Sequence, residues 1–196
     1  MSPLQAMERS YSQLRDLLRA GTYPPGHRLE ASRIANEIGV SMTPVRDALN
    51  RLVGEQMVEA SIGDGFHVPR ATERDLCDLY EWNSALAMFA ARTARTLPDQ
   101  EAIDCASHAD TLADATDACF ELLARSAPNR ELREAVARTS DRLHPFRIAE
   151  AKILEPVSGE LEELFAPAPR QQAAIRRYHL ARMRAVGDIL RARSEL

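Results

Sequence analysis

Ser41, Met42, Thr43, Arg46, Asn50 and Arg51 are spaced so that a helix would carry them on one side. Hydroxyls, an amide and guanidinium groups in that arrangement suit phosphate oxygens and base edges better than they suit bond-making chemistry. The residues between them are of the opposite kind. Val45, Ala48, Leu49 and Leu52 recur at i, i+3, i+4 and i+7, which defines one buried helical face. Ser41 stands where an N-cap belongs, with a hydroxyl that could accept from the first-turn amides. Pro44 falls inside that first turn, where its missing N–H costs nothing. A helix that starts this way directs free amides and the positive end of its dipole at an anion.

Such a helix must be held by others. Gly39 can take the positive φ that ends a preceding helix, Ala31 to Ile38, with Ile34, Ala35 and Ile38 turned inward. Two short helices around a tight turn make a helix-turn-helix. Leu4, Met7, Tyr11, Leu14, Leu17 and Leu18 form a stripe that predicts an amphipathic helix over 4–20. Gly21 stops it, and Tyr23-Pro24-Pro25-Gly26 reads as a turn. After residue 56, Met57-Val58-Glu59-Ala60 and Phe66-His67-Val68 are strand-like pieces flanking Gly63-Asp64-Gly65, a hairpin turn. The hairpin completes a winged helix-turn-helix over 1–70, with Ile62, Gly63 and His67 at the wing. Arg28, Arg33, Arg46 and Arg51 are the basic groups available for phosphate.

The run Gly39-Val40-Ser41-Met42-Thr43-Pro44-Val45-Arg46-Asp47-Ala48-Leu49 resembles the recognition-helix region of the GntR family of bacterial transcription regulators. Tyr23-Pro24-Pro25-Gly26-His27-Arg28-Leu29 and the Gly-x-Gly-Phe-x-Val of the wing fit the same family pattern. The resemblance covers about the first 70 residues. It implies a homodimer on double-stranded DNA, with an inverted-repeat operator and, more often than not, repression. Arg46 is then the expected guanine reader, with Ser41 and Thr43 on phosphate and Arg33 and Arg51 as further phosphate contacts. Met42 departs from the family, which usually has Arg there. Methionine cannot donate to guanine but can touch a thymine methyl, so the operator should differ at that base pair.

The net charge of −4 does not announce a nucleic-acid binder. Residues 1–70 carry eight Arg and eight acidic residues, so contact with phosphate has to come from a local cluster. No apolar run approaches the ~20 residues of a membrane helix, and the cytoplasm is the expected location. Cys77, Cys105 and Cys119 are odd in number and lack CxxC spacing, which favours reduced thiols.

Thr72-Glu73-Arg74-Asp75 is a capping-box-like start, and everything beyond it reads as helix. Helical stretches are expected over 75–95, over 99–127 with a break near Asp110-Thr111, over 131–154 with a kink at Pro145, and over 170–196. A short helix lies between Glu155-Pro156-Val157-Ser158-Gly159 and Ala166-Pro167-Ala168-Pro169. Leu76, Leu79, Tyr80, Leu86 and Phe89 are expected on one inward face. Residues 71–196 are thus an all-helical bundle, and the chain as a whole is mainly α.

That bundle resembles, more weakly, the FCD effector domain of FadR-type regulators. The residues concerned are Leu79-Tyr80-Glu81, Asp117-Ala118-Cys119-Phe120-Glu121 and His179-Leu180. The resemblance implies a divalent metal held by one Asp and three His, orienting a small carboxylate effector. The ligand set is incomplete here. Glu121 stands where a His belongs, Ser158 falls near a second, and only His179 matches the last; Asn83 and Ala87 replace a usual Arg and Glu. Asp117, Glu121 and His179, with His144 beside them, are the candidate metal or effector residues, and no resident cofactor is expected. An interaction module with no effector is the alternative that this degenerate set leaves open. The chain has no Gly-rich phosphate loop, no Gly-x-Ser-x-Gly and no His-Glu-x-x-His, so no enzyme is expected.

Overall fold

A computed structural model describes residues 2–61, 63–96, 98–154 and 159–195. The expectations attached to Ile62, Leu97 and Ser158 lie outside the described residues. Two compact units divide at Ala71/Thr72.

In the first unit, α1 spans Pro3–Arg19, α2 Ala31–Ile38 and α3 Met42–Gly54. Ser2 caps α1 by a reciprocal pair of bonds with Gln5. Gly39 closes α2 at φ 75°, a left-handed conformation that a Cβ would disfavour. The turn then delivers Ser41 to the start of α3. Val45, Ala48, Leu49 and Leu52 are fully buried against Leu14, Leu18, Leu29, Ile34 and Val58. The 3.6-residue period therefore does place the polar residues of α3 outward.

Three short strands follow the order β1 (Arg28–Leu29), β3 (Gly65–His67), β2 (Glu59–Ser61), antiparallel throughout. The β2–β3 hairpin is the wing, and Gly63 takes φ 82° at its turn. β1 has no counterpart in the sequence reading. Two residues are too few to show alternation, and Arg28-Leu29 becomes strand only because Leu29 pairs with Phe66 across β3. Met57 and Val58 were expected in a strand but are core residues leading into it.

The second unit is built of helices among its described residues: α4 (Glu73–Thr93), α5 (Gln100–Ser107), α6 (Leu112–Arg125), α7 (Arg130–Ile153), α8 (Arg170–Arg184) and α9 (Val186–Ser194), with a 3-10 turn at Glu162–Phe165. Thr72, Asp99, Thr111 and Asn129 cap α4, α5, α6 and α7 through side-chain oxygens. The break expected near Asp110 is real, because Thr111 restarts the helix. α7 runs on through Pro145, as the span expected over 131–154 requires. The single helix expected over 170–196 is two, divided at Ala185. α4 packs on α7 and α8, α6 on α5 and α7, and α9 on α7. Phe120, Leu123, Leu164, Ile175 and Tyr178 form the centre of the core. Phe89, expected inward, is 48% exposed, and Trp82 is 51% exposed. With Ala85 they make an exposed stripe along α4 at i, i+3 and i+7.

Candidate functional site

The first turn of α3 opens to solvent. Ser41 is at the N-cap with extended backbone (φ −75°, ψ 166°), but its hydroxyl caps nothing. The bond expected from the sequence is absent, which leaves the first-turn amides available to an external acceptor. A hollow of about 450 Å³ borders Val40, Ser41, Thr43, Pro44 and Asp47, so these groups face open space. Ser41, Met42, Thr43, Arg46 and Asn50 are all exposed, Met42 by 49%. Arg46 has neither a hydrogen bond nor an ion pair among the described residues, so its five N–H donors are uncommitted.

The other predicted arginines are placed differently. Arg51 donates to Glu8 from Nη1 (3.0 Å) and to Glu55 from Nε (3.2 Å). Its guanidinium carbon lies 3.6 Å from the Tyr11 ring centroid, and Tyr11 donates to Glu55 at 2.8 Å. Arg51 therefore takes part in the α1–α3 contact, and a phosphate would have to compete with Glu8 and Glu55 for its guanidinium. Its position in the third turn of α3 also takes it away from the free amides. Arg33 is exposed and bound along its own helix to Glu37 at 2.9 Å. An exposed pair of this kind is weak, so a phosphate could displace it.

At the wing, His67 is half-buried. Its Nε2 lies 3.4 Å from Asp64 Oδ2, and it sits in register between Arg28 on β1 and Glu59 on β2. Residues directly opposite on neighbouring strands share a face. The exposed Arg28 is thus carried beside His67 on the wing sheet, although the two lie far apart in the sequence. That placement was invisible in the sequence because β1 was.

In the helical unit the candidate residues scatter. Glu121 is exposed and accepts from Arg125 at 2.6 Å. His179 is fully buried and packs on Phe120 and Tyr178. Its Nδ1–H donates to the Ile175 carbonyl at 2.7 Å, and its Nε2 lies 2.9 Å from the Asn83 side-chain amide. Burial above all holds its pKa down at about 3, against the ordinary 6.5. A neutral ring that donates through Nδ1 must accept through Nε2. The structure sets Asn83 Oδ1 against Nε2, and turning that amide over so that its NH₂ faces the ring satisfies both groups and gives the otherwise unpartnered donor its bond. Both nitrogens of His179 are then committed.

Asp117 is held from both sides. His144 donates from Nδ1 to Oδ2 at 2.6 Å, and Arg147 donates from Nη1 to Oδ1. Arg147 is 1% exposed and also donates to Ser140 at 3.2 Å. Beside it lies a second buried charged group. Glu150 accepts from the Tyr80 hydroxyl and from Arg182 Nε (3.0 Å), and Arg182 grips Glu160 at 2.7 and 2.8 Å. Burial, followed by the Glu150 carboxylate, pushes the Tyr80 hydroxyl well above its ordinary pKa; burial likewise lifts Tyr178 to about 12. Both phenols are therefore neutral donors. Sequence reasoning missed Arg147, Glu150 and Arg182, because charged residues at helical spacing read as a solvated face.

These positions do not fit the divalent site that the resemblance implies. Glu121 is turned to Arg125, His179 has no free nitrogen, and Asp117 faces a buried guanidinium. Among the described residues, no three His, Cys, Asp or Glu side chains come together as metal ligands. No described helix is long and apolar enough to cross a membrane.

Residues 6–68 match the family described as bacterial regulatory proteins, gntR family. The chain is 26% identical over 152 residues to YdhC of Bacillus subtilis, named an uncharacterised HTH-type transcriptional regulator, covering 70% of this chain and 68% of that protein. It is 34% identical over 87 residues to a protein of Paenarthrobacter nicotinovorans named a probable D-xylose utilization operon transcriptional repressor, covering 42% and 38%. In fold it is similar to the crystal structure of a candidate GntR transcriptional regulator from Rhodococcus sp. RHA1. The TM-score is 0.75 at 20% identity, over 94% of this chain and 97% of that one.

Proposed function

Since residues 6–68 belong to the gntR family of bacterial regulatory proteins, a family of transcription regulators rather than enzymes, we propose that the chain acts as a homodimeric repressor. In this reading it binds an inverted-repeat operator, and an effector in its helical unit modulates binding. One observation carries the proposal. The first turn of α3 presents uncapped amides, Ser41, Thr43 and an Arg46 with no partner among the described residues, on a helix whose opposite face is wholly buried. The amides and hydroxyls fix the helix on phosphate, and Arg46 reads guanine through O6 and N7. Arg28 and His67 on the wing, the Gly63 backbone at its turn, and Arg33 on α2 add contacts outside the base edges. Met42 meets a thymine methyl.

Selection of random and genomic DNA fragments on the purified chain, at fixed salt, tests the reading. Enrichment of one inverted repeat with half-sites about one helical turn apart is expected. Arg46→Ala should then lose roughly 1–3 kcal/mol of discrimination at a single base pair per half-site. Unchanged binding at every operator position would remove Arg46 from the interface.

The α4 stripe of Trp82, Ala85 and Phe89 supports dimerisation, since two copies packed about a two-fold axis would cover it. Trp82→Asp should raise the dimer dissociation constant by about 30-fold or more, measured by sedimentation. A variant that stays dimeric at the same concentrations as the parent would place the interface elsewhere.

A further inference from the structure

The groups of the first unit expected to meet DNA divide into two kinds by what they already hold. Arg46 on α3 and Arg28 on β1 have no hydrogen bond or ion pair among the described residues. Arg33, Arg51 and His67 each face a carboxylate instead. Arg33 Nε donates to Glu37 at 2.9 Å, Arg51 Nη1 donates to Glu8 at 3.0 Å, and His67 Nε2 lies 3.4 Å from Asp64. The three acids stand on different elements, α2, α1 and the wing turn, so no single helix spacing accounts for them. Their side chains are 50%, 51% and 67% exposed, open to the same anions as their partners. Glu55 is of another sort: it is 20% exposed and accepts from the Tyr11 hydroxyl, so it belongs to the packing of α1 on α3.

We propose that Glu37, Glu8 and Asp64 are built-in competitors of DNA phosphate, which set how tightly, and with what salt dependence, the first unit holds a duplex. The inference rests on the regulator reading above and names a control on it. A phosphate that reaches Arg33 has to displace Glu37, and the displaced carboxylate then lies close to the phosphate and opposes it. That carboxylate also takes up a cation as the phosphate sheds one, so the contact gains little from counterion release. Exposed pairs are weak, which is what a competitor has to be: the phosphate still wins, at reduced affinity. Arg46 has no such competitor. Contacts that carry no sequence information are therefore damped, while the contact that reads a base keeps its full strength. The equal numbers of arginines and acidic residues in 1–70 are then part of how the head works, and not an oddity of composition.

Fluorescence anisotropy of the full chain, on a duplex enriched by the selection and on a scrambled duplex of the same length, tests this over a series of NaCl concentrations. Glu37→Gln should tighten both duplexes by the same factor, about 3-fold for each protomer bound. It should also steepen the plot of log affinity against log salt by about 0.9 for each protomer. Glu8→Gln and Asp64→Asn should act in the same direction. Base preference at every position of the site should stay as in the parent, because phosphate contacts do not read sequence. Arg33→Gln should cost roughly 3-fold more affinity in the Glu37→Gln background than in the parent, since only there is Arg33 free of its competitor. A misfolded variant does not gain binding, so a gain cannot be mistaken for damage to the fold. If the parent binds DNA and Glu37→Gln changes neither affinity nor slope, the inference alone is overturned and Glu37 is no more than a surface partner within α2. If neither the parent nor any variant binds either duplex, the regulator reading falls and takes the inference with it.

Discussion

Arg182→Met should destabilise the helical unit by about 3–5 kcal/mol, the largest loss expected of a single substitution outside the apolar core. Arg182 is 4% exposed, spans Glu150 and Glu160, and lies with its guanidinium carbon 3.6 Å from the Tyr178 ring centroid. Burial by itself would push its pKa down, but Tyr178, Glu160 and Glu150 outweigh that and raise it, so it is charged at any working pH. Methionine fills much of the same volume yet leaves two carboxylates facing each other, Glu150 being 2% exposed. The cost is that of an uncompensated buried charge and not of the ion pair itself. Adding Glu150→Gln to Arg182→Met should therefore recover part of the loss. Trp82, the only tryptophan, lies on α4 and reports unfolding of this unit by fluorescence. A double variant as unstable as the sum of the singles would show that the two residues do not act on each other.

The second large effect is on acid stability. His179 has a pKa of about 3 when folded, because burial opposes its charged form, and about 6.5 when unfolded. Between these values the unfolded chain binds a proton that the folded one refuses. Stability from this residue is complete above pH 6.5 and falls by about 1.4 kcal/mol for each unit below it, until the folded pKa is reached. From pH 6.5 to pH 5 the parent protein should thus lose roughly 2 kcal/mol more than His179→Gln, in urea unfolding followed by Trp82 fluorescence. The other four histidines are common to both proteins and cancel in the comparison. Parallel pH profiles would mean that His179 is not buried as a neutral ring.

Much of the first unit was legible in the chain. The i, i+3, i+4, i+7 spacing from Val45 to Leu52 fixed which face of α3 is buried, and hence which residues are exposed. Gly39 and Gly63 marked turns because both take a positive φ. The caps of the helical unit were partly readable for the same reason: a hydroxyl or carboxylate must meet free amides within a few residues. Arg51 shows where local reading stops. In sequence it is one more basic residue on a helix, and its role depends on Glu8 and Tyr11, which a different helix brings to it.

The sequence by itself determined a winged helix-turn-helix ahead of a helical bundle, since hydrophobic period, caps and turns act over a few residues. It could not determine what the charged residues of the bundle do. Arg147, Glu150 and Arg182 look like a solvated face until α4, α6, α7 and α8 close around them. Only then does burial turn each charge into an obligation to find a partner, which Asp117 supplies to Arg147 and Glu150 to Arg182. The same closure separated Asp117, Glu121 and His179, whose residue types suited a metal but whose partners are now Arg147, Arg125 and Asn83. Residue type limits which bonds a group can make, but tertiary packing decides which of them it does make.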